Sequence, residues 1–250
     1  MSDFNRGLST PTTPAVADMG VDAGLRGFML GVYNKVGLGL VLSAALAWVS
    51  GNYEPVKQLF FAVDPVTGRT GLTILGMVVA FAPLVILLGQ MFLRKTSPRA
   101  AAITYWAIVS LIGLSFGVFF IVYTGVSIFE TFLVTAAAFG GLSLVGYTTK
   151  RDLSGMGSFL IMGLWGLIFA SLAAMFFHSG ALYFAINLIG VLIFAGLIAF
   201  QTQRLKLTYH QLGGDQAAMS VATSYGALTL YLDFINLFRF LLYFMGGSRR

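Results

Sequence analysis

Polar and apolar positions in this chain alternate by whole segments rather than residue by residue. A polar stretch, Met1 to Gly27, carries Pro11 and Pro14 among Ser and Thr. Seven apolar runs follow, near Phe28–Ser50, Leu72–Leu93, Ala101–Tyr123, Ser127–Tyr147, Met156–Phe177, Ala181–Gln203 and Val221–Met245. Each approaches the ~20 residues that take a helix across a hydrocarbon core. Barrel strands would need alternating polarity over segments of about ten residues, and the chain has none. The pattern predicts an all-α membrane protein, a bundle of seven transmembrane helices over 28–246. A flexible polar tail, 1–27, precedes it and a short basic tail, 247–250, follows. No strands are expected. The third and fourth runs, and the fifth and sixth, are joined by few residues and should form helical hairpins.

Composition strengthens this picture. Of 250 residues, 58% are hydrophobic and 10% charged, and the mean hydropathy is +0.87. A soluble domain carries about 25% charged residues, so this chain cannot cover itself with a polar surface. Ala45-Leu46-Ala47 fits a small-x-small cleavage site, but the apolar stretch before it exceeds the 7–15 residues of a signal h-region. It reads as an uncleaved first span.

The net charge of +6 is distributed as topology requires. Nine Lys and Arg residues flank one side: Arg6, Arg26, Arg94, Lys95, Arg99, Lys150, Arg151, Arg204 and Lys206. The opposite loops hold Lys57 and Arg69. Positive residues mark the cytoplasmic side of short loops, so the N-terminus is expected there. Seven crossings then export the C-terminus despite Arg249-Arg250. This segmental pattern argues for the lipid bilayer as partner and against nucleic acid.

Pro83 lies midway along the second run, where a missing backbone donor favours a kink. Gly113 and Gly117, four apart on the third run, allow close helix packing.

Within the runs the acidic residues are Glu130 and Asp233. A lone ionised carboxylate at mid-membrane costs roughly 2.5–3.5 kcal/mol on insertion scales, and such residues usually face a bundle interior or a wet cavity. On a helix Thr229, Asp233 and Asn236 share one face. Gln201, Thr202 and Gln203 are candidate partners for that stripe, and Arg94 and Lys95 candidate counter-charges. Glu130 lies near a run's start, where a solvated carboxylate and a pathway role are both open. The remaining chemistry points away from catalysis. Cysteine is absent, which removes disulfides and thiolate ligands. His178 and His210 fall in different loops with no HExxH motif, so no zinc centre is expected. Gly113-Leu114-Ser115 supplies a hydroxyl without a base, and an aspartyl pair lacks its second aspartate. The chain is expected not to be an enzyme and to need no cofactor.

Three stretches carry a family resemblance: SIFETFLVTAAAFGGLSLVGYTTKRDL (127–153), FAGLIAFQTQRLK (194–206) and ALTLYLDFINLFRFLL (227–242). The chain resembles the Bax inhibitor-1 (TMBIM) family over about Leu25 to Gly246. The resemblance implies a seven-helix fold with the last helix wrapped by the other six. It also implies a pH-sensitive calcium leak, with calcium the permeant ion and a pair of aspartates the sensor. One lies in a DTQ motif on the sixth helix, the other in LYLDF on the seventh. Asp233 matches the second; the first reads Gln201-Thr202-Gln203 here. A basic residue after the second helix can latch to the pair, and Arg94 or Lys95 is the match. Glu130 occupies a place where relatives can carry an acid. Two close carboxylates share a proton because their charges repel. Gln201 cannot titrate, so the remaining pH response is expected from Asp233 alone. A second implied role is regulatory: partner of a membrane-bound quality-control protease or stress-response complex, with the polar tail as handle. A bacterial inner-membrane location is expected.

Overall fold

The computed structural model describes residues 23–63, 70–90, 92, 96–177 and 179–247. Arg94, Lys95, His178, most of the polar tail and the three last residues lie outside them. Each of the seven apolar runs becomes helix. They are α1 (Ala23–Asn52), α3 (Ile74–Gln90), α4 (Pro98–Ser115) continued by α5 (Gly117–Val122), α6 (Gly125–Thr148), α7 (Ser154–Ala174), α8 (Gly180–Gln211) and α9 (Gln216–Met245). Six of these units are long and apolar enough to cross a membrane, and α3, of 17 residues, is shorter. α1 begins at Ala23, so residues 23–27 are helix rather than tail. Their polarity is misleading because Leu25 is fully buried in the main core.

The expectation of no strands is overturned. Between α1 and α3 lie a short helix, α2 (Glu54–Phe60), and an antiparallel hairpin of β1 (Phe61–Val63) and β2 (Thr70–Leu72), with Phe61 opposite Leu72. Phe60, Phe61 and Val79 form a small core that fixes it against α3. The aromatic Phe61 suits a pleated surface, and the run is too short for a span.

Polar caps set the helix starts. Ser97 accepts from Ala100 N at 3.2 Å, with Pro98 in the first turn of α4. Asp215 accepts from Ala217 N and Ala218 N at the start of α9. Such caps satisfy donors that the helix cannot. Gly213 and Gly214 adopt φ of +56° and +88°, a left-handed conformation open to glycine, and so turn the chain tightly from α8 into α9.

α9 is the most buried of the long helices, packed directly on α1, α4, α6 and α8. α3 and α7 sit further out, mainly against α4 and α8. The wrapping is therefore closest on four sides rather than six. Around α9 the core gathers Val32, Tyr105, Ile108, Tyr231 and Phe234. Outer faces expose Val41, Phe81, Ile103, Phe159, Met162 and Leu192, an apolar coat suited to acyl chains and not to water. Pro83 lies inside α3 and is buried. Gly113 and Gly117 do pack closely: a Cβ on Gly113 would stand 2.8 Å from Ser43 Cα, and one on Gly117 2.8 Å from Gly51 N. At the far end of α9, Gly247 O accepts from Thr124 N and Gly247 N donates to Ser127 Oγ. The C-terminal end thus lies beside the start of α6, away from the start of α1.

Candidate functional site

The polar stripe of α9 faces a cavity. A space of about 550 Å³ between α7, α8 and α9 is lined by Gln201, Thr229, Asp233, Asn236 and Arg239 among apolar side chains, including Leu164, Leu197 and Phe240. The 4-and-3 spacing of Thr229, Asp233 and Asn236 brings all three to one wall, as helical geometry requires. Gln201 faces them from α8. Gln201 and Thr229 also border a second space of about 220 Å³, lined further by Arg204, Thr208 and Tyr225. These two residues therefore stand where the cavities meet.

Asp233 is 6% exposed. Its Oδ2 is buried and has no hydrogen-bond partner among the described residues. Buried polar atoms are almost always paired, so the orphan marks Asp233 out. Thr229 Oγ1 donates to Tyr225 O at 3.0 Å, and Asn236 Nδ2 to Leu232 O at 2.8 Å. Thr229 spends its one donor on its own helix and Asn236 one of its two, and both oxygens remain as acceptors. The described residues show no hydrogen bond from the Gln201 side chain and no ion pair to Asp233.

The other proposed partners fall elsewhere. Thr202 Oγ1 turns back to Ile198 O at 2.8 Å. Gln203 is a structural brace: its Nε2 donates to Arg151 O and its Oε1 accepts from Leu153 N, both at 2.8 Å. It ties the α6–α7 turn to α8. Glu130 is exposed on α6 and does not line the cavity with Asp233. The candidate latch residues, Arg94 and Lys95, lie outside the described residues.

Among the described residues the cation that shares the cavity is Arg239, which the sequence reading did not single out. It is exposed, with its guanidinium 5.1 Å from the centre of the Phe240 ring. Three residues beyond Asn236, it continues the same stripe, and that spacing is the signal that could have found it. The described residues contain no group of three or more metal-ligating His, Cys, Asp or Glu side chains.

An apolar-coated helical bundle with one buried acid beside a polar cavity defines a polytopic membrane protein built around its last helix. The family follows from comparison with known chains. The model of the family described as Inhibitor of apoptosis-promoting Bax1 matches residues 25–250, and the chain belongs to that Bax inhibitor-1 family. Among its relatives, an uncharacterized protein of Caulobacter vibrioides is 59% identical over the full length of both chains. The inner membrane protein YbhL of Escherichia coli K12 is 43% identical, covering 91% of this chain and 94% of its own. A Rickettsia prowazekii protein is 40% identical over the full length of both.

Proposed function

We propose that the protein is a non-enzymatic calcium-leak protein of the bacterial inner membrane, in which the ion passes the α7–α8–α9 cavity beside Asp233. Seven crossings, with the N-terminus in the cytoplasm, complete the reading. The observation that carries it is the convergence of Asp233, Thr229, Asn236 and Gln201 on one cavity, with a carboxylate oxygen left without a partner. Calcium takes six to eight oxygen ligands. A single carboxylate with neutral oxygens makes a weak site, which suits a path that an ion must leave. The inner membrane is supported by the Escherichia coli relative's name, and the orientation by the basic residues at one end of the bundle. With Gln201 in place of a second acid, the pH response is a one-proton event at Asp233.

The test is calcium efflux from liposomes across pH 5–8. Asp233→Asn should change the rate and flatten the pH profile, and Gln201→Asp should steepen it. A two-proton transition in the native protein would contradict the reading.

Two observations favour a second reading, a regulatory partner of a membrane-bound protease that transports nothing. Gln201 removes one acid from the stripe, and Arg239 adds a base to the cavity; both disfavour cation passage. Purified protein that leaks no calcium at any pH, together with loss of partner capture on deleting Met1 to Gly24, would decide for it.

A further inference from the structure

A second cleft lies away from the Asp233 cavity. α1 packs on α4, α5 and α9, and α6 on α8 and α9. Between α1 and α6 the bundle leaves a cleft of about 440 Å³, lined by Arg26, Leu30 and Tyr33 from α1 and by Gly140, Ser143 and Leu144 from α6. The Tyr33 and Phe139 rings, 6.4 Å apart and edge to face, bridge the two helices there.

Three features distinguish this cleft from ordinary lipid-facing surface. Arg26 is exposed at its mouth and has no ion pair among the described residues. No acid lines it. Ser143, 5% exposed, and the Tyr33 hydroxyl beside it put a pair of polar groups on the inner wall. The remaining wall is apolar, with Leu30 and Leu144 more than half exposed.

We infer that this cleft binds one anionic phospholipid. Arg26 holds the headgroup phosphate, the half-buried Tyr33 hydroxyl beside Ser143 donates to an ester carbonyl, and an acyl chain lies along Leu30, Gly140 and Leu144. The depths agree with that order. Arg26 is three residues inside the start of α1, about 4–5 Å along the axis. Ser143 is five residues before the end of α6, about 7–8 Å. Both measure from the same end of the bundle, where Arg99, Lys150, Arg151 and Arg204 also cluster, so an anionic headgroup meets a field of opposite sign. A guanidinium suits a phosphate because it donates through two N–H groups at once.

The experiment uses the full chain in detergent, titrated with phosphatidylglycerol or phosphatidylcholine of equal chain length and read by native mass spectrometry. The native protein should retain one phosphatidylglycerol with roughly fivefold preference, the worth of one arginine near an anionic surface. Arg26→Gln should abolish the preference, and Arg26→Lys should keep most of it. Ser143→Leu, which fills the cleft, should lower uptake of both lipids. Arg99→Gln, at the same end but outside the cleft, should keep most of the preference. Equal retention of the two lipids by the native protein would overturn the proposal, and so would an equal loss in Arg26→Gln and Arg99→Gln. Retention that appears only after residues 1–22 are removed would assign the cleft to the chain's own tail and would also overturn it.

Discussion

Arg239 supplies a quantitative test of the permeation path. It lies six residues beyond Asp233, about 9 Å along the helix axis, and both line one cavity. A divalent ion held beside Asp233 is repelled by the guanidinium. At an effective dielectric constant of 20 the repulsion is roughly 3–4 kcal/mol, and at the value of bulk water about 1 kcal/mol. A monovalent ion feels half as much. Arg239→Gln should therefore speed calcium efflux from liposomes by between about fivefold and several hundredfold. Potassium efflux should rise by only the square root of that factor. Arg239→Lys, which keeps the charge, should stay near native for both ions. The decisive quantity is the ratio of the logarithmic changes, expected near two. Unchanged calcium efflux from a folded Arg239→Gln protein would refute the reasoning, as would equal factors for both ions. If native protein and every variant leak nothing, the transport reading fails first.

Three further outcomes follow from the packing and the turns. Gly117→Val places a Cβ against Ser50 Oγ and Gly51 N, so α1 and α5 must separate; thermal unfolding in detergent should show a loss of about 1–3 kcal/mol. Gln203→Leu removes both bonds that brace the α6–α7 turn and leaves Leu153 N and Arg151 O unpaired, for a loss of about 1–3 kcal/mol, and proteolysis near residues 149–153 should accelerate. Asp152, in that turn and fully exposed, has its carboxyl held below the ordinary value by hydrogen bonds from Ser154. Its contribution is complete above the unfolded carboxyl value and fades as pH falls through the folded one. Native and Asp152→Asn proteins should therefore show parallel stability profiles over pH 5–8 and diverge only in acid; divergence near neutrality would refute the assignment.

The span pattern was readable because lipid imposes long apolar runs, and all seven runs became helix. The Thr229, Asp233 and Asn236 wall was readable because helical spacing alone puts those residues on one face. Gln201 entered through its motif, and it does face that wall. The roles of Thr202 and Gln203 were not readable. Adjacent residues on a helix point about 100° apart, so three consecutive polar residues cannot all serve one cavity. Gln203 turns instead to a loop fifty residues earlier in the chain, a pairing that no local pattern encodes. Arg239 was not readable from local pattern because a single base among Phe and Leu resembles a residue reaching for an interface, although its spacing from Asn236 continues the stripe. The hairpin was hidden by brevity: three-residue strands leave no period to count.

The central place of α9 has a consequence for how the protein is made. Synthesis delivers the N-terminal helices first, so the helix that fills the middle leaves the ribosome after α1 to α8. Until Gln216–Met245 is inserted, the earlier helices enclose a vacant slot. Lipid tails cannot meet the Ser43 hydroxyl there as the Tyr231 hydroxyl does, nor replace the edge-to-face contact of Tyr231 with the Tyr105 ring. A nascent chain that stops short of Gln216 is therefore a nearly complete protein without a keystone, and membrane surveillance would meet it as unfinished.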